Sequence, residues 1–119
     1  MAQRPYRSVL YIPGSKERAL DKARSLPADA IIFDLEDAVS PEEKVGARDT
    51  LAQVLAEGGF GARARIVRIN GLDSAWGAGD LARFGRDANV EAILVPKVNR
   101  AADLDAVAAA APGKPLWAM

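Results

Sequence analysis

The chain has 119 residues, of which 50% are hydrophobic and 27% charged, the composition of a soluble globular domain. Its 16 basic and 16 acidic residues cancel, and no apolar stretch approaches the roughly 20 residues that cross a bilayer. We therefore expect a cytoplasmic protein that binds neither nucleic acid nor membrane. The absence of cysteine and histidine excludes disulfides, thiolate zinc sites and histidine-based triads, which leaves carboxylates, arginine, lysine, hydroxyls or a hard metal ion for chemistry.

Five short runs of mostly β-branched, aliphatic or aromatic residues predict strands. Two of them, residues 30–33 and 92–95, are continuously apolar, which is typical of strands buried on both faces of a parallel sheet. The five predicted strands span residues 8–12, 30–33, 65–69, 92–95 and 116–119.

Each gap between the predicted strands carries the pattern of a helix. The second helix has the clearest start, because Ser40 is a candidate N-cap, Pro41 suits the first helical position and Glu43 completes a capping box. Three glycines weaken the pattern of the third helix. The other predicted limits are Ser15 to Pro27 for the first helix, Gly58-Gly59 as the end of the second, Asp73 or Ser74 as the cap of the third, and Asn99 or Arg100 to Pro112-Gly113 for the fourth.

The alternation of strands and helices predicts an α/β fold in which helices pack outside a parallel sheet. Two closures fit the pattern: an open, doubly wound five-stranded sheet and a (β/α)8 TIM barrel. At about 31 residues per βα unit, the chain supplies about four units and a fifth strand. Because the chain stops at Met119 inside an apolar run, we predict a single domain over residues 1–119, the truncated N-terminal half of a TIM barrel.

Acidic residues follow the second predicted strand, at the end where ligands collect in parallel α/β folds. The run Asp34-Leu35-Glu36-Asp37 places three carboxylates close together, and such crowding favours a hard cation such as Mg²⁺. The alternative is that Asp34 or Asp37 caps the following turn and that Glu36 points to solvent.

Basic residues lie at the ends of other strands. Arg68, inside the third predicted strand, must be paired or solvated, because burying an unpaired charge is costly. Its guanidinium either binds a carboxylate or a developing enolate oxygen, or forms a structural ion pair with Glu36 or Asp37. Lys97, after the fourth strand, either orients an anion or forms a salt bridge.

The remaining polar and aromatic features are less specific. Residues 13–16 form a short turn that ends in Lys16 and feeds a helix N-terminus, a plausible place for a phosphate. We interpret Lys44 and Arg48 as part of a solvated helix face. The aromatic residues Tyr11, Trp76, Phe84 and Trp117 are expected in the core.

Several of these motifs, taken in chain order, resemble the citrate lyase β-subunit and malyl-CoA lyase family. The resemblance spans nearly the whole chain, and its most specific motif is Asp-Leu-Glu-Asp between a strand and a proline-started helix. It is carried by Arg7-Ser8 leading into residues 10–15, by residues 34–39, by Lys44 with Ala47-Arg48, by residues 67–71 and by residues 95–98.

The resemblance implies a TIM-barrel carbon–carbon lyase that cleaves or forms a hydroxyacyl-CoA, or a hydroxy or keto acid, by an aldol or Claisen-type reaction through an enolate. It implies Mg²⁺ as cofactor, a small organic acid and a coenzyme A thioester as ligands, and a homo-oligomer. Arg68 would then contact the substrate and stabilise the enolate oxygen, with Lys97 as a further substrate-binding residue. Arg7 and Lys16 would lie near the coenzyme A phosphates.

The resemblance also assigns roles around the metal. Glu36 and Asp37 would act through its bound water. The direct ligands in the family are a glutamate just after the fifth strand and an aspartate after the sixth, so they are expected beyond Met119, and residues 1–119 alone would be inactive. Two alternatives stay open: a non-catalytic family member that binds acyl-CoA or an organic acid, and a small open-sheet α/β signalling module.

Overall fold

The computed structural model describes residues 8–61, 63–96, 105, 107–109, 111 and 114–118. Strands and helices alternate along these residues. The strands are β1 (Val9–Pro13), β2 (Ala30–Asp34), β3 (Ala64–Arg68), β4 (Ala92–Val95) and β5 (Leu116–Ala118). The helices are α1 (Glu17–Ala23), α2 (Lys44–Glu57), which follows a 3-10 turn (Pro41–Glu43), and α3 (Gly77–Phe84). Residues 105 and 107–109 are also helical.

The strands form one parallel sheet in the order β1-β2-β3-β4-β5. Each strand therefore pairs with the next strand along the chain, as in a (β/α)8 barrel. A doubly wound sheet reverses its strand order at a switch point, so the doubly wound alternative is wrong. The prediction of an α/β fold that forms the N-terminal half of a TIM barrel is confirmed.

The two faces of the sheet bury separate clusters of side chains. The outer face packs against the helices, and its ring contact between Phe33 and Phe60 is edge-on, with centroids 5.4 Å apart. The inner face holds a second, smaller cluster of side chains from the middle strands, Ala30, Ile32, Ala64, Ile66, Ala92 and Leu94, with Trp117 packed against it. Burial on both faces explains why residues 30–33 of β2 and 92–95 of β4 are continuously apolar in sequence.

The first helix is shorter than predicted. It begins at Glu17 after Lys16 as the N-cap residue, rather than at Ser15, and it ends at Ala23 rather than near Pro27. The last turn tightens because the next two backbone N–H groups bond to carbonyl groups three residues earlier. Tightening of this kind closes a helix before its apolar pattern runs out.

The second helix begins without the predicted capping box. Within the described residues, Ser40 makes no side-chain capping bond. In a capping box, the Ser40 hydroxyl would accept a hydrogen bond from the Glu43 N–H. Here the Glu43 N–H donates instead to the Ser40 carbonyl oxygen at 3.0 Å. Pro41 does occupy the first position, but of a 3-10 turn that leads into α2.

The third helix begins at Gly77 with Trp76 as the N-cap residue, rather than with Asp73 or Ser74 as predicted. The Ser74 hydroxyl accepts hydrogen bonds from the backbone N–H groups of Trp76 (3.3 Å) and Gly77 (3.1 Å). The predicted start and end of the fourth helix, at residues 99–100 and 112–113, lie outside the described residues. No helix among the described residues is long and apolar enough to cross a bilayer.

Candidate functional site

The site begins with a buried ion pair between the ends of two neighbouring strands. β2 and β3 pair in a register that sets Asp34 opposite Arg68. Both residues continue the alternation of the inner face, two positions beyond Ile32 and Ile66, at the carboxyl end of the sheet. Arg68 Nε donates to Asp34 Oδ1 at 2.9 Å, and Arg68 Nη2 donates to the other carboxylate oxygen. The pair is therefore a bidentate, charge-assisted contact.

Asp34 is ionised because several donors outweigh its burial. Burial alone raises the pKa of this carboxyl, but the hydrogen bond from Arg68 and those from the backbone N–H groups of Glu36 (2.8 Å) and Ala38 (3.1 Å) lower its pKa below the usual value. The hydrogen bond to Asp34 raises the pKa of Arg68, against its burial. Asp34 thus caps the following turn, as the alternative reading predicted, and also orients the arginine.

The other two acids of the run lie at the same end of the sheet. Glu36 is buried, with Oε1 3.7 Å from Arg68 Nη1, so the prediction that it points to solvent is wrong. Asp37 is exposed, and its charge contributes to the raised pKa of Arg68. Among the described contacts, Asp34 is the main partner of Arg68, because strand register brings Asp34 opposite it, and the predicted ion pair with Glu36 is also present.

An aromatic ring flanks the arginine. The guanidinium carbon of Arg68 lies 5.6 Å from the centroid of the Tyr11 ring, close enough for a cation–π contact. Tyr11 pairs with Ile32 in the sheet and so lies on the inner face, but its side chain is 51% exposed. The prediction of a core position for Tyr11 is wrong, because β1 has a single neighbouring strand within the described residues.

Lys44, predicted on a solvated helix face, is buried against the acidic run. Its Nζ donates to the carbonyl oxygens of Leu35 (3.1 Å) and Glu36 (2.8 Å) and to Asn70 Oδ1 (2.7 Å). The ammonium also lies 5.3 Å from the centroid of the Trp76 ring. The prediction fails because the loop after β2 and the end of β3 cover the first turn of α2.

Asp80, which no sequence motif indicated, anchors the same region from α3. It is fully buried and accepts hydrogen bonds from Asn70 N (2.9 Å), Asn70 Nδ2 (2.6 Å) and Arg48 Nε (3.1 Å). Arg48 is therefore half-buried and paired rather than solvated. One signal was present: Lys44 and Arg48 flank Ala47 on α2, so both charges share a face with a core residue.

The predicted phosphate-binding residues are less well connected to this cluster. Lys16 is exposed at the start of α1, with Nζ 3.7 Å from Glu43 Oε2. The turn before it does contact the site, because Gly14 N–H donates to the Asp34 carbonyl oxygen at 2.8 Å. Arg7 and Lys97 lie outside the described residues.

The acidic side chains do not by themselves form a metal-binding centre. Among the described residues, no group of three or more acidic side chains is placed to hold a metal ion. Asp34 is occupied by Arg68, which leaves Glu36 and Asp37 as carboxylates that can accept hydrogen bonds from metal-bound water. The described residues therefore fit an outer role around a cation and lack an inner coordination sphere.

Comparison with known proteins identifies the family. The sequence model of the HpcH/HpaI aldolase/citrate lyase family matches residues 7–115, which is most of the chain. The chain belongs to this family. The predicted resemblance to citrate lyase β-subunits and malyl-CoA lyases is thereby confirmed.

The curated relatives of this chain include a thioesterase and two lyases. The chain is 64% identical over 115 residues to (3S)-malyl-CoA thioesterase of Cereibacter sphaeroides (strain KD131), covering 97% of this chain and 40% of the relative. It is 37% identical over 101 residues to citrate lyase subunit beta of Escherichia coli (strain K12), covering 85% and 33%. It is also 37% identical over 106 residues to L-malyl-CoA/beta-methylmalyl-CoA lyase of C. sphaeroides, covering 87% and 33%.

Solved structures of the family share the fold. The citrate lyase beta subunit of M. tuberculosis, complexed with oxaloacetate and magnesium, has a TM-score of 0.72 and 27% identity, covering 92% of this chain and 45% of that one. Protein CitE of M. tuberculosis, in complex with magnesium, acetoacetate and coenzyme A, has a TM-score of 0.70 and 26% identity, covering 92% and 38%. The chain thus spans less than half the length of these relatives.

Proposed function

We propose that the protein is a Mg²⁺-dependent enzyme that acts on the coenzyme A thioester of a hydroxy acid such as malyl-CoA. The observation that carries this proposal is Arg68, which is ionised, oriented by Asp34 and adjacent to Glu36 at the carboxyl end of the strands. The thioesterase and lyase relatives, and the family structures with magnesium and coenzyme A, support it.

Arg68 is the proposed catalytic residue. Asp34 binds the Nε side of the guanidinium and so sets its plane. The charged fork donates hydrogen bonds to the thioester carbonyl oxygen of the substrate. That oxygen gains negative charge whether the thioester is hydrolysed or becomes an enolate. A donor held in place before the reaction therefore stabilises the transition state more than the ground state.

Glu36 and Asp37 are proposed to face the cofactor through water. If bound here, Mg²⁺ would supply a Lewis acid that polarises the oxygens of the hydroxy or keto acid. The two carboxylates would accept hydrogen bonds from its bound water, since the described acids do not form an inner coordination sphere. We propose that the direct ligands follow Met119, and that residues 1–119 form one domain, part of a TIM barrel.

Three basic residues are proposed to bind the substrate anions. Lys16 is exposed and faces only a carboxylate 3.7 Å away among the described contacts, so a phosphate of coenzyme A can compete for it. Arg7 is proposed to bind the same phosphates, and Lys97 the acid. Cytoplasmic location and assembly as a homo-oligomer remain predictions from composition and from the family resemblance.

The relatives suggest two candidate reactions, hydrolysis of the thioester and cleavage of a carbon–carbon bond. In hydrolysis, water adds to the thioester carbonyl and the coenzyme A thiolate leaves, which yields the free hydroxy acid. In the lyase reaction, the substrate hydroxyl loses its proton and the adjacent carbon–carbon bond breaks, which yields a 2-oxo acid and a thioester enolate that takes up a proton. Identity of 64% to a thioesterase favours hydrolysis; the lyase predicted from sequence is the second candidate, supported by relatives at 37%.

Product analysis separates these candidates. The full-length protein is incubated with (3S)-malyl-CoA, with and without Mg²⁺, and free thiol and 2-oxo acid are measured in parallel. We expect thiol without 2-oxo acid, and only with Mg²⁺. Formation of 2-oxo acid without thiol would identify the lyase. Absence of both products, with retained binding of the thioester, would favour the non-catalytic family member.

The role of Arg68 has its own test. We expect Arg68→Ala in the full-length protein to lower kcat/KM about 100-fold, or about 3 kcal/mol, by analogy with the loss of one oxyanion donor. Arg65→Ala is the matched control, since Arg65 lies in the same strand but bonds to the Asn89 carbonyl oxygen. Circular dichroism checks that both variants fold. A folded Arg68→Ala variant with near-wild-type turnover would refute the role.

A further inference from the structure

We propose that Lys44 is a positioning residue of this site: its buried ammonium holds the acidic loop, residues 34–37, so that the Glu36 carboxylate meets Arg68 and the proposed metal-bound water at a set angle. This inference rests on the proposed function, because it names a residue that acts on the same site through the loop. Lys44 itself is assigned no contact with substrate.

The contacts of Lys44 account for its whole donor capacity. A lysine ammonium has three N–H donors, and Nζ of Lys44 has three oxygen acceptors at 2.7–3.1 Å. Two of these are consecutive main-chain carbonyls of the acidic loop, Leu35 and Glu36, and the third is Asn70 Oδ1. The ammonium therefore restrains the loop backbone itself.

A second set of hydrogen bonds fixes Asn70, the side chain that accepts from Lys44. Asn70 Nδ2 donates to the Leu35 carbonyl oxygen (2.9 Å) and to Asp80 Oδ2 (2.6 Å), so the same amide contacts both the loop and α3. Asp80 is held in turn by Arg48 Nε at 3.1 Å. We call Lys44, Asn70, Asp80 and Arg48 the polar relay; it connects α2, the segment after β3 and α3 to the acidic loop.

The backbone of Glu36 is restrained on both sides, by Asp34 and by the Lys44 end of the relay. The Glu36 N–H donates to Asp34 Oδ1 at 2.8 Å, and its carbonyl oxygen accepts from Lys44 Nζ at 2.8 Å. With its backbone bound on each side, the point from which the Glu36 side chain leaves the loop is restrained, and Oε1 lies 3.7 Å from Arg68 Nη1. Outer groups that orient the residues around a metal are known to affect metal affinity and rate strongly.

A buried charge is a poor way to gain stability, which favours a positioning role. An apolar side chain of similar volume often stabilises a core as well as a buried charge does. An apolar side chain cannot, however, bind two successive carbonyl oxygens and an amide. The structure thus assigns to Lys44 a contribution to geometry.

Lys114 offers a matched control for the test. Its Nζ also donates to two main-chain carbonyl oxygens, those of Asp87 and Val90, both at 2.7 Å, and it is also partly buried. These contacts lie before β4 and β5, at the opposite end of the sheet from the acidic loop. Lys114→Met therefore removes the same kind of interaction without touching the site.

The test compares Lys44→Met and Lys114→Met in the full-length protein. For Lys44→Met we expect kcat to fall roughly 10- to 100-fold, with KM for malyl-CoA changed less than kcat. We also expect weaker Mg²⁺ binding by calorimetry and faster amide exchange in residues 34–39, measured without substrate or metal. Lys114→Met is expected to leave all of these near wild type, even where it lowers the unfolding midpoint.

Lys44→Arg decides the question if Lys44→Met does not fold. It keeps the charge, but a planar guanidinium does not match three acceptors placed around a compact ammonium, so we expect the same losses to a smaller extent. Wild-type kcat, Mg²⁺ affinity and loop exchange in a folded Lys44 variant would overturn the inference, as would equal losses in Lys114→Met. If the wild-type protein turns over no thioester, the proposed function fails, while loop exchange still decides this inference.

Discussion

Asp34 carries most of the electrostatic organisation of the site at the scale of single residues. Its two oxygens bind Arg68 and the backbone N–H groups of Glu36 and Ala38, so one carboxylate orients both the arginine and the acidic loop. Four donors converge on this buried group, which explains why its pKa is lowered although burial opposes ionisation. The arrangement predicts that neutralising Asp34 affects folding as well as activity.

We expect Asp34→Asn to destabilise the full-length protein by about 3–5 kcal/mol, because it removes the carboxylate charge that pairs at two points with the buried guanidinium of Arg68. Denaturant unfolding measures this change. Asp37→Asn is the matched control; Asp37 is exposed in the same loop, so its loss should change stability by no more than about 0.5 kcal/mol. Equal effects of the two substitutions would contradict the burial and pairing described for Asp34.

The lowered pKa of Asp34 also predicts a dependence of stability on pH. Because the folded-state pKa of Asp34 lies below the ordinary aspartate value of 3.8, the unfolded chain binds the proton more readily than the folded one. The contribution is therefore present above that value and is lost as pH falls through the folded-state pKa. The free energy of unfolding should decline more steeply below about pH 4 in wild type than in Asp34→Asn. Parallel curves would show that another group dominates.

Lys44 and Arg48 show where residue-level reasoning from sequence stops. Charged residues on a helix are usually solvated, and the face that these two share with buried Ala47 is the local signal against this expectation. Their burial depends on the acidic loop and on α3, which contact α2 only through the tertiary fold. Residue type predicted that Arg68 needs a partner, but strand register decided which carboxylate it is.

At the scale of elements, the glycines of α3 have a use that helix propensity does not reveal. They predicted a weak helix, yet Gly77–Phe84 is helical. A Cβ at Gly77 would lie 2.1 Å from the Gly71 carbonyl oxygen, and one at Gly79 would lie 2.6 Å from Arg48 Nη2. The missing side chains thus allow α3 to approach the end of β3 and the polar relay closely.

A pair of glycine substitutions tests this view of α3. We expect Gly77→Ala to destabilise the full-length protein by about 1–3 kcal/mol, since the backbone carbonyl that it would meet cannot move freely. Gly46 in α2 is exposed and has nothing within 4 Å of a Cβ among the described residues, so Gly46→Ala should stabilise by about 0.5–1 kcal/mol. Unfolding midpoints of both variants measure the difference; stabilisation by Gly77→Ala would contradict the close approach.

At the scale of the whole molecule, the parallel pairing of neighbouring strands places all of their carboxyl ends at one edge of the sheet. The residues that follow β1, β2 and β3 therefore lie at one edge. There the Gly14 N–H donates to the Asp34 carbonyl oxygen, and the Leu35 N–H donates to the Arg68 carbonyl oxygen. Among the described residues, β1 pairs with β2 alone and β5 with β4 alone. A closed barrel requires a second neighbouring strand for β1 and another for β5.

Amide exchange in the full-length protein tests the proposed barrel. An edge strand leaves alternate N–H groups open to solvent, whereas a strand paired on both sides protects them all. We expect every amide in residues 9–12 of β1 to exchange as slowly as those of β3, which is paired on both sides. Alternating fast and slow amides along β1 would show that it remains an edge and that the barrel is not closed there.

The sequence by itself determined the elements and the chemistry available to them. Apolar runs placed all five strands to within a residue or two, and the positions of Asp34, Glu36 and Arg68 at or just after the ends of buried strands indicated one charged end of the sheet. These are local properties, set by side-chain type and spacing. Only the tertiary structure decided the order of the strands, the pairing of Asp34 with Arg68 and the burial of Lys44, because each depends on register and packing between segments far apart in the chain.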